Sequence, residues 1–202
     1  MKTLIIVDAQ YDFMPEGALA VENGDAIVPV INTILPRFDL VAATQDWHPQ
    51  NHKSFASNHQ GKDVFEKTTL HGLEQILWPD HCVQGTRGAS FHNQLNMTPV
   101  EAIFRKGMNP EIDSYSGFYD NGHQKSTGMA GFLREKNAEQ LYFAGLAADI
   151  CVYFTMLDAL QEGFGVHLIL DATKPLNPED FERQKESLQK KGVKMVHSNE
   201  LL

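Results

Sequence analysis

Short apolar runs that stop abruptly at a polar residue constrain this chain more than any other feature of it. Leu4 to Val7 is unbroken and closes on Asp8. A run without alternation fits a strand covered on both faces, as in a parallel sheet, so Asp8 stands at a strand's C-terminal edge. A helix follows over Asp25 to Leu35, with Ile27, Val30, Ile31 and Ile34 as its apolar stripe and Pro29 tolerated near its first turn. Leu40 to Thr44 reads as a second strand. Gln45 to Met97 is long and polar, and its Gly, Pro, Asn and His content marks a functional excursion rather than a second domain.

Glu101 to Arg105 is the third strand and delivers Lys106, and Gln140 to Gly145 is the fourth. Asp149 is placed to cap the next helix, whose Ile150, Tyr153, Phe154, Leu157 and Leu160 recur at helical spacing up to Gly163. Cys151 therefore falls in that helix's first turn. Val166 to Leu170, ending at Asp171, is the fifth strand; a polar helix spans Pro178 to Lys191, and Val193 to His197 is the last strand. The alternation predicts an α/β fold, a three-layer α-β-α sandwich around a six-stranded, mostly parallel sheet of Rossmann-like topology. The 202 residues fit one domain over 1–202. In open sheets of this class ligands bind beyond the carboxyl ends of the strands, where Asp8, Asp46, Lys106 and Cys151 all fall. Neither GxGxxG nor GxxxxGK[ST] occurs, which removes the usual phosphate-cradling reading.

A formal charge of -9 works against a polyanionic partner, so no nucleic acid is expected. No apolar run approaches membrane-spanning length, and Asp8 interrupts the N-terminus too early for a signal peptide, so a cytoplasmic protein with no membrane partner is expected. One conceivable bridge between Cys82 and Cys151 is a poor disulfide framework, and both read as thiols.

A thiol in a helix's first turn meets the positive end of the helix dipole and free backbone N–H groups, which favour thiolate and could hold an oxyanion. A lone cysteine after Ile150 is, however, more simply a small core residue. Asp8 and Lys106 shift that balance: a buried carboxylate can take the thiol proton, and a neighbouring ammonium stabilises both anions. Asp46 and His48, two apart at a strand end, can turn to one side of an extended chain and take a metal, with the remote His81 as third ligand. His52 is either a fourth ligand or an outer-shell partner, and Cys82 is read as non-ligating. Of nine histidines, His59, His71, His92, His123, His167 and His197 read as surface residues without partners.

Five segments in order and spacing resemble the nicotinamidases of the isochorismatase-like cysteine hydrolases: Val7 to Leu19, Asp46 to Phe55, Trp78 to Val83, Phe104 to Gly107 and Gly145 to Val152. The resemblance covers most of the chain. It implies a catalytic triad of Asp8, Lys106 and Cys151; a divalent metal on Asp46, His48 and His81, with zinc the best match and iron or manganese as alternatives; and Phe13 and Trp78 sandwiching a pyridine ring, with Tyr115 lining the pocket. It also implies a cis peptide before Ala147 that turns the Ala147 N–H toward an oxyanion beside that of Cys151. The implied reaction is hydrolysis of nicotinamide, and of pyrazinamide, to the acid and ammonia through a Cys151 thioester, feeding NAD salvage. The resemblance leaves room for a homo-oligomer. The family commonly carries Thr where Ala148 stands and an aromatic where Ile150 stands, so no hydroxyl contact is expected from position 148. Two alternatives remain: a related hydrolase acting on another small amide, and a non-catalytic zinc-binding domain closed by His52 or Cys82.

Overall fold

In the computed structural model, which describes all 202 residues, six strands form one sheet in the order β5-β2-β1-β6-β7-β8. They are β1 (Lys2–Val7), β2 (Leu40–Asp46), β5 (Val100–Lys106), β6 (Gln140–Leu146), β7 (Gly165–Lys174) and β8 (Lys194–Val196), and every neighbouring pair is parallel. β3 (Lys67–Leu70) and β4 (Leu73–Ile76) form a separate antiparallel hairpin inside the polar excursion. The chain builds outward from β1 through β2 to β5, then returns to the far side of β1 with β6. The strand order therefore reverses at β1, and a crevice opens there above the carboxyl ends.

The unbroken run of β1 is explained by burial on both faces. Leu4 and Ile6 join a cluster with Ile27, Val28, Ile31 and Ile34 of α1 (Ile27–Ile34), whereas Ile5 and Val7 join the opposite one. That second cluster holds α2 (Met129–Glu135), α3 (Cys151–Gln161) and α4 (Pro178–Lys190). Trp78, Cys82, Ala89 and Leu95 pack on the α1 side, so the excursion itself completes that layer. No helix is long and apolar enough to cross a membrane.

Three expectations need correction. The strand predicted to end at Asp171 continues to Lys174, because a register irregularity against β6 between Phe143 and Gly145 lets β7 run on, and Thr173 Oγ1 then donates to Gly145 O at 2.7 Å. The helix predicted over Asp25 to Leu35 is α-helical only over Ile27–Ile34, flanked by single 3-10 turns. The pattern assigned no element near Gly128, yet α2 forms there; at seven residues around an internal Gly131 it is too short to declare a helical period.

Candidate active site

Each strand end that faces the crevice contributes one polar side chain. Asp8 follows β1, is wholly buried, and accepts a 2.7 Å hydrogen bond from Thr44 Oγ1 of β2. Lys106 ends β5 and is also buried. Its Nζ lies 2.8 Å from Asp8 Oδ2 and 2.5 Å from Asp46 Oδ1, donates to Ser114 O at 3.0 Å, and stands 3.4 Å from Cys151 Sγ. The structure thus brings Asp8, Lys106 and Cys151 together from three strand ends, with Asp46 as a second counter-charge for the ammonium. Gln10 fixes Asp46 from below: its Nε2 donates to Asp46 O and its Oε1 accepts from Asp46 N, both at 2.8 Å.

Burial sets the protonation states. It opposes a charge on Lys106, but Asp46 and Asp8 outweigh it and hold the ammonium well above the ordinary lysine range. Burial likewise opposes ionisation of Asp46, and Lys106 and His48 overcome it, keeping this carboxyl well below 3.8. Asp8 goes the other way. Burial, with Asp46 acting in the same sense, raises it above 3.8 against the pull of Lys106. Burial together with Asp8 and Asp46 also pushes the Cys151 thiol well up, which Lys106 only partly counters. This corrects the thiolate expected from helix position. In the resting site Cys151 is a thiol beside a carboxylate with raised proton affinity.

Helix α3 starts at Cys151, and its N-cap Ile150 offers no side-chain acceptor. Asp149, expected to cap, instead accepts from Leu176 N and Asn177 N, both at 2.8 Å, and pins the segment after β7 to the site. The peptide between Leu146 and Ala147 is cis. Ala148 N donates to Lys174 O, while neither Ala147 N–H nor Cys151 N–H has an acceptor in the protein. Two backbone donors therefore remain free beside the thiol. Gly145, at φ +122°, is required just upstream: a Cβ there would meet Val7 O at 1.9 Å.

The second constellation lies across the same crevice. Asp46 Oδ2 is 3.6 Å from His48 Nε2 and 3.8 Å from His81 Nε2, and all three side chains are buried. His48 Nδ1 donates to Gly107 O at 2.9 Å and His81 Nδ1 to Pro79 O at 2.8 Å, which turns both Nε2 lone pairs toward the shared carboxylate. Three acceptors converging in a buried space call for a cation. Metal–ligand bonds of about 2.0–2.2 Å in tetrahedral geometry place donors roughly 3.3–3.6 Å apart, which the observed separations approach. His52 sits behind His48, ring centroids 4.5 Å apart, in a set with His48 and Asp113 rather than with Asp46 and His81. Ser54 donates to its Nδ1 from both N–H and hydroxyl, and burial holds its pKa down to about 4. Cys82 is buried, absent from every such set, and held protonated chiefly by burial.

The two constellations meet where Lys106 reaches Asp46, and beside them opens a cavity of about 330 Å³ lined by Phe13, Trp78 and Tyr115 together with Cys151, Ala147, Asp46, His48 and His81. All three aromatic positions expected around a ring are there. Ile150 also lines it, while Ala148 faces the core under α3. Sequence reasoning missed Gln10, Thr44, Asp113 and Ser114. Gln10 and Thr44 each stand two residues from an aspartate already singled out, the spacing that turns side chains of extended chain to one side; Asp113 and Ser114 lie in irregular chain and carry no such signal. The histidines expected to lack partners all have one. His167 is buried in β7, stacked on Tyr142 at 4.2 Å and hydrogen-bonded to Gln140 Oε1 at 2.9 Å; His123 faces Asp158, His71 faces Glu111, and His197 faces Asp171. His59 contacts Lys53 O, and His92 Nδ1 accepts from Gln94 N.

Comparison with known proteins adds names to this geometry. The profile of the family described as the isochorismatase domain matches residues 2–200. The nicotinamidase of Acinetobacter baylyi is 42% identical over 200 residues, covering 98% of this chain and 94% of that protein. Among solved structures, a nicotinamidase/pyrazinamidase of Acinetobacter baumanii superposes with TM-score 0.96 at 44% identity, over 100% of this chain and 98% of that one. A pyrazinamidase of Pyrococcus horikoshii in complex with zinc superposes at 0.81 with 39% identity, over 97% and 98%.

Proposed function

The chain belongs to the isochorismatase domain family, and we propose that it is a metal-dependent amidohydrolase that converts nicotinamide to nicotinic acid and ammonia with Cys151 as nucleophile. The observation that carries this reading is that Cys151, backed by Asp8 and Lys106, opens onto the same aromatic-walled cavity as Asp46, His48 and His81. A closed, purely structural zinc site would leave the buried thiol, lysine and aspartate beside it without a purpose.

Asp46, His48 and His81 would hold a divalent ion, for which zinc suits the oxygen and nitrogen donors. Bound there, the ion supplies a Lewis-acid position for a ring nitrogen. Phe13 and Trp78 grip the faces of the pyridine ring and Tyr115 closes its outer side, so the carboxamide carbon is presented to Cys151. Asp8 takes the thiol proton as Sγ bonds to that carbon. Lys106 stays an ammonium throughout and steadies the carboxylates and the developing thiolate. The N–H groups of Ala147 and Cys151 donate to the tetrahedral oxyanion. Asp8 returns its proton to the amide nitrogen, the C–N bond breaks, ammonia leaves, and a thioester remains. Asp8 then takes a proton from a water that attacks the thioester; the C–S bond breaks, Asp8 returns that proton to the departing Cys151 sulfur, and nicotinic acid leaves. Pyrazinamide, with the same ring geometry and carboxamide, fits the same steps, and nicotinic acid returned from nicotinamide suits NAD salvage.

Ammonia release from nicotinamide by metal-analysed protein tests the proposal. The expected result is turnover by wild type and its loss by at least about a thousandfold in Cys151→Ala, with metal content unchanged. Near-full turnover by Cys151→Ala would overturn it.

A further inference from the structure

The β3–β4 hairpin stands apart from the sheet, and most of its side chains face solvent, yet one polar side chain of it is almost completely buried. Gln75 is 3% exposed and reaches into the outer wall of the cavity. Its Nε2 lies 2.7 Å from Ile76 O, 3.1 Å from Asp113 Oδ2 and 3.0 Å from Tyr115 Oη. A primary amide nitrogen offers two protons and accepts none, so one proton is shared among these three acceptors, and at Tyr115 the contact uses an oxygen lone pair and leaves the phenol proton free. Turning the amide over would set its oxygen against Ile76 O and the Asp113 carboxylate, so this orientation is enforced. Besides Gln75, the Tyr115 hydroxyl is approached by the indole N–H of Trp78, and aromatic contacts hold its ring, with centroids 6.2 Å from Trp78 and 5.4 Å from Phe154. Gln75 is thus the polar restraint that ties Tyr115 to the hairpin, alongside the Trp78 indole, and Asp113, paired to Ser114 N at 2.8 Å, anchors Gln75 in turn.

We infer that Gln75 is a positioning residue for the reaction: it fixes Tyr115 against the bound ring, and so governs substrate binding rather than bond breaking. This rests on the nicotinamidase reading above. Loss of one buried hydrogen bond of this kind weakens the held group by about 1–3 kcal/mol, which corresponds to roughly 5- to 150-fold in an equilibrium constant.

Steady-state kinetics with nicotinamide on wild type, Gln75→Met, Tyr115→Phe and the double variant test the inference. Met matches the length of Gln and fills its space without a donor. The expected result is a KM raised about tenfold in Gln75→Met with kcat within about threefold, and a double variant no worse than Tyr115→Phe alone, because both changes remove one contact. Should Gln75→Met not fold by circular dichroism, Gln75→Asn, which keeps the amide but shortens its reach, carries the same KM-against-kcat test. Unchanged KM, a loss confined to kcat, or additive effects in the double variant would overturn the role of Gln75 while leaving the activity standing. No turnover by wild type would overturn both.

Discussion

Gly107→Ala tests whether the backbone after Lys106 is shaped to hold a metal ligand. Gly107 has φ +67°, and a Cβ built there would lie 2.2 Å from His48 Cε1 and 2.5 Å from Nδ1, whereas ordinary contact begins at 3.4 Å. The ring or the backbone must therefore move by about 3.4 − 2.2 = 1.2 Å. Metal sites tolerate about 0.2 Å in ligand position. The ring cannot simply step aside, because the carbonyl that receives its Nδ1 proton belongs to Gly107 itself. Losing such an outer-shell bond typically costs about 10- to 100-fold in metal affinity. The substitution also strains the backbone, at roughly 1–2 kcal/mol for a left-handed non-glycine residue. Gly128→Ala separates the two effects, since Gly128 has φ +90° with nothing within 4 Å of its would-be Cβ. Urea melts should show Gly128→Ala destabilised by about 1–2 kcal/mol and Gly107→Ala by more, because it adds the clash with His48 to the same strain. Competition against a chromogenic zinc chelator should show only Gly107→Ala losing affinity, by at least about tenfold. Equal zinc affinity in wild type and Gly107→Ala would refute the link between this glycine and the site.

Asp8→Asn removes the proton acceptor while keeping its shape, and kcat should fall by about 10²- to 10⁴-fold, measured as ammonia release. Because burial raises Asp8 above 3.8, the acid limb of the wild-type kcat/KM profile should lie at higher pH than an ordinary aspartate would give; a limb at or below 3.8 would count against Asp8 as the base. Burial, with Lys194 and Lys2, depresses the pKa of His167 below 6.5. The unfolded chain then takes up this proton first, so its contribution is fully present above 6.5 and is lost as pH falls toward the folded value; His167→Phe should flatten that slope in urea melts taken across the range. Phe13→Ala opens one face of the ring site and should raise KM for nicotinamide about tenfold or more, with zinc content unaltered.

What the sequence made legible was what local rules govern. Leu4–Val7 announces a doubly buried strand because both of its faces are apolar, and the same logic placed Asp8, Lys106 and Cys151 at strand ends on one side of the sheet. Asp46, His48 and His81 were readable as a set because two lie at a spacing that extended chain can turn to one side. Tertiary contacts governed the rest. Nothing near Gln75 or Asp113 in the sequence reports that a hairpin side chain will reach a loop 38 residues away. The partners of His167 come from β6, two elements earlier in the chain, so a residue that reads as a surface histidine becomes part of a stacked pair.

The two errors beside Cys151 share one cause. Helix position argues for a thiolate at Cys151, and an aspartate two residues earlier argues for a cap; both arguments treat the helix N-terminus as an isolated end in water. In the folded chain that end is buried, and burial pushes the Cys151 thiol well up. A cap from Asp149 would add a carboxylate to the free donors beside Cys151, whereas its bonds to Leu176 and Asn177 keep it away and pin the segment after β7 instead. An uncapped helix start beside a buried thiol and a raised carboxylate is thus a local rule broken, as the proposed oxyanion site would require.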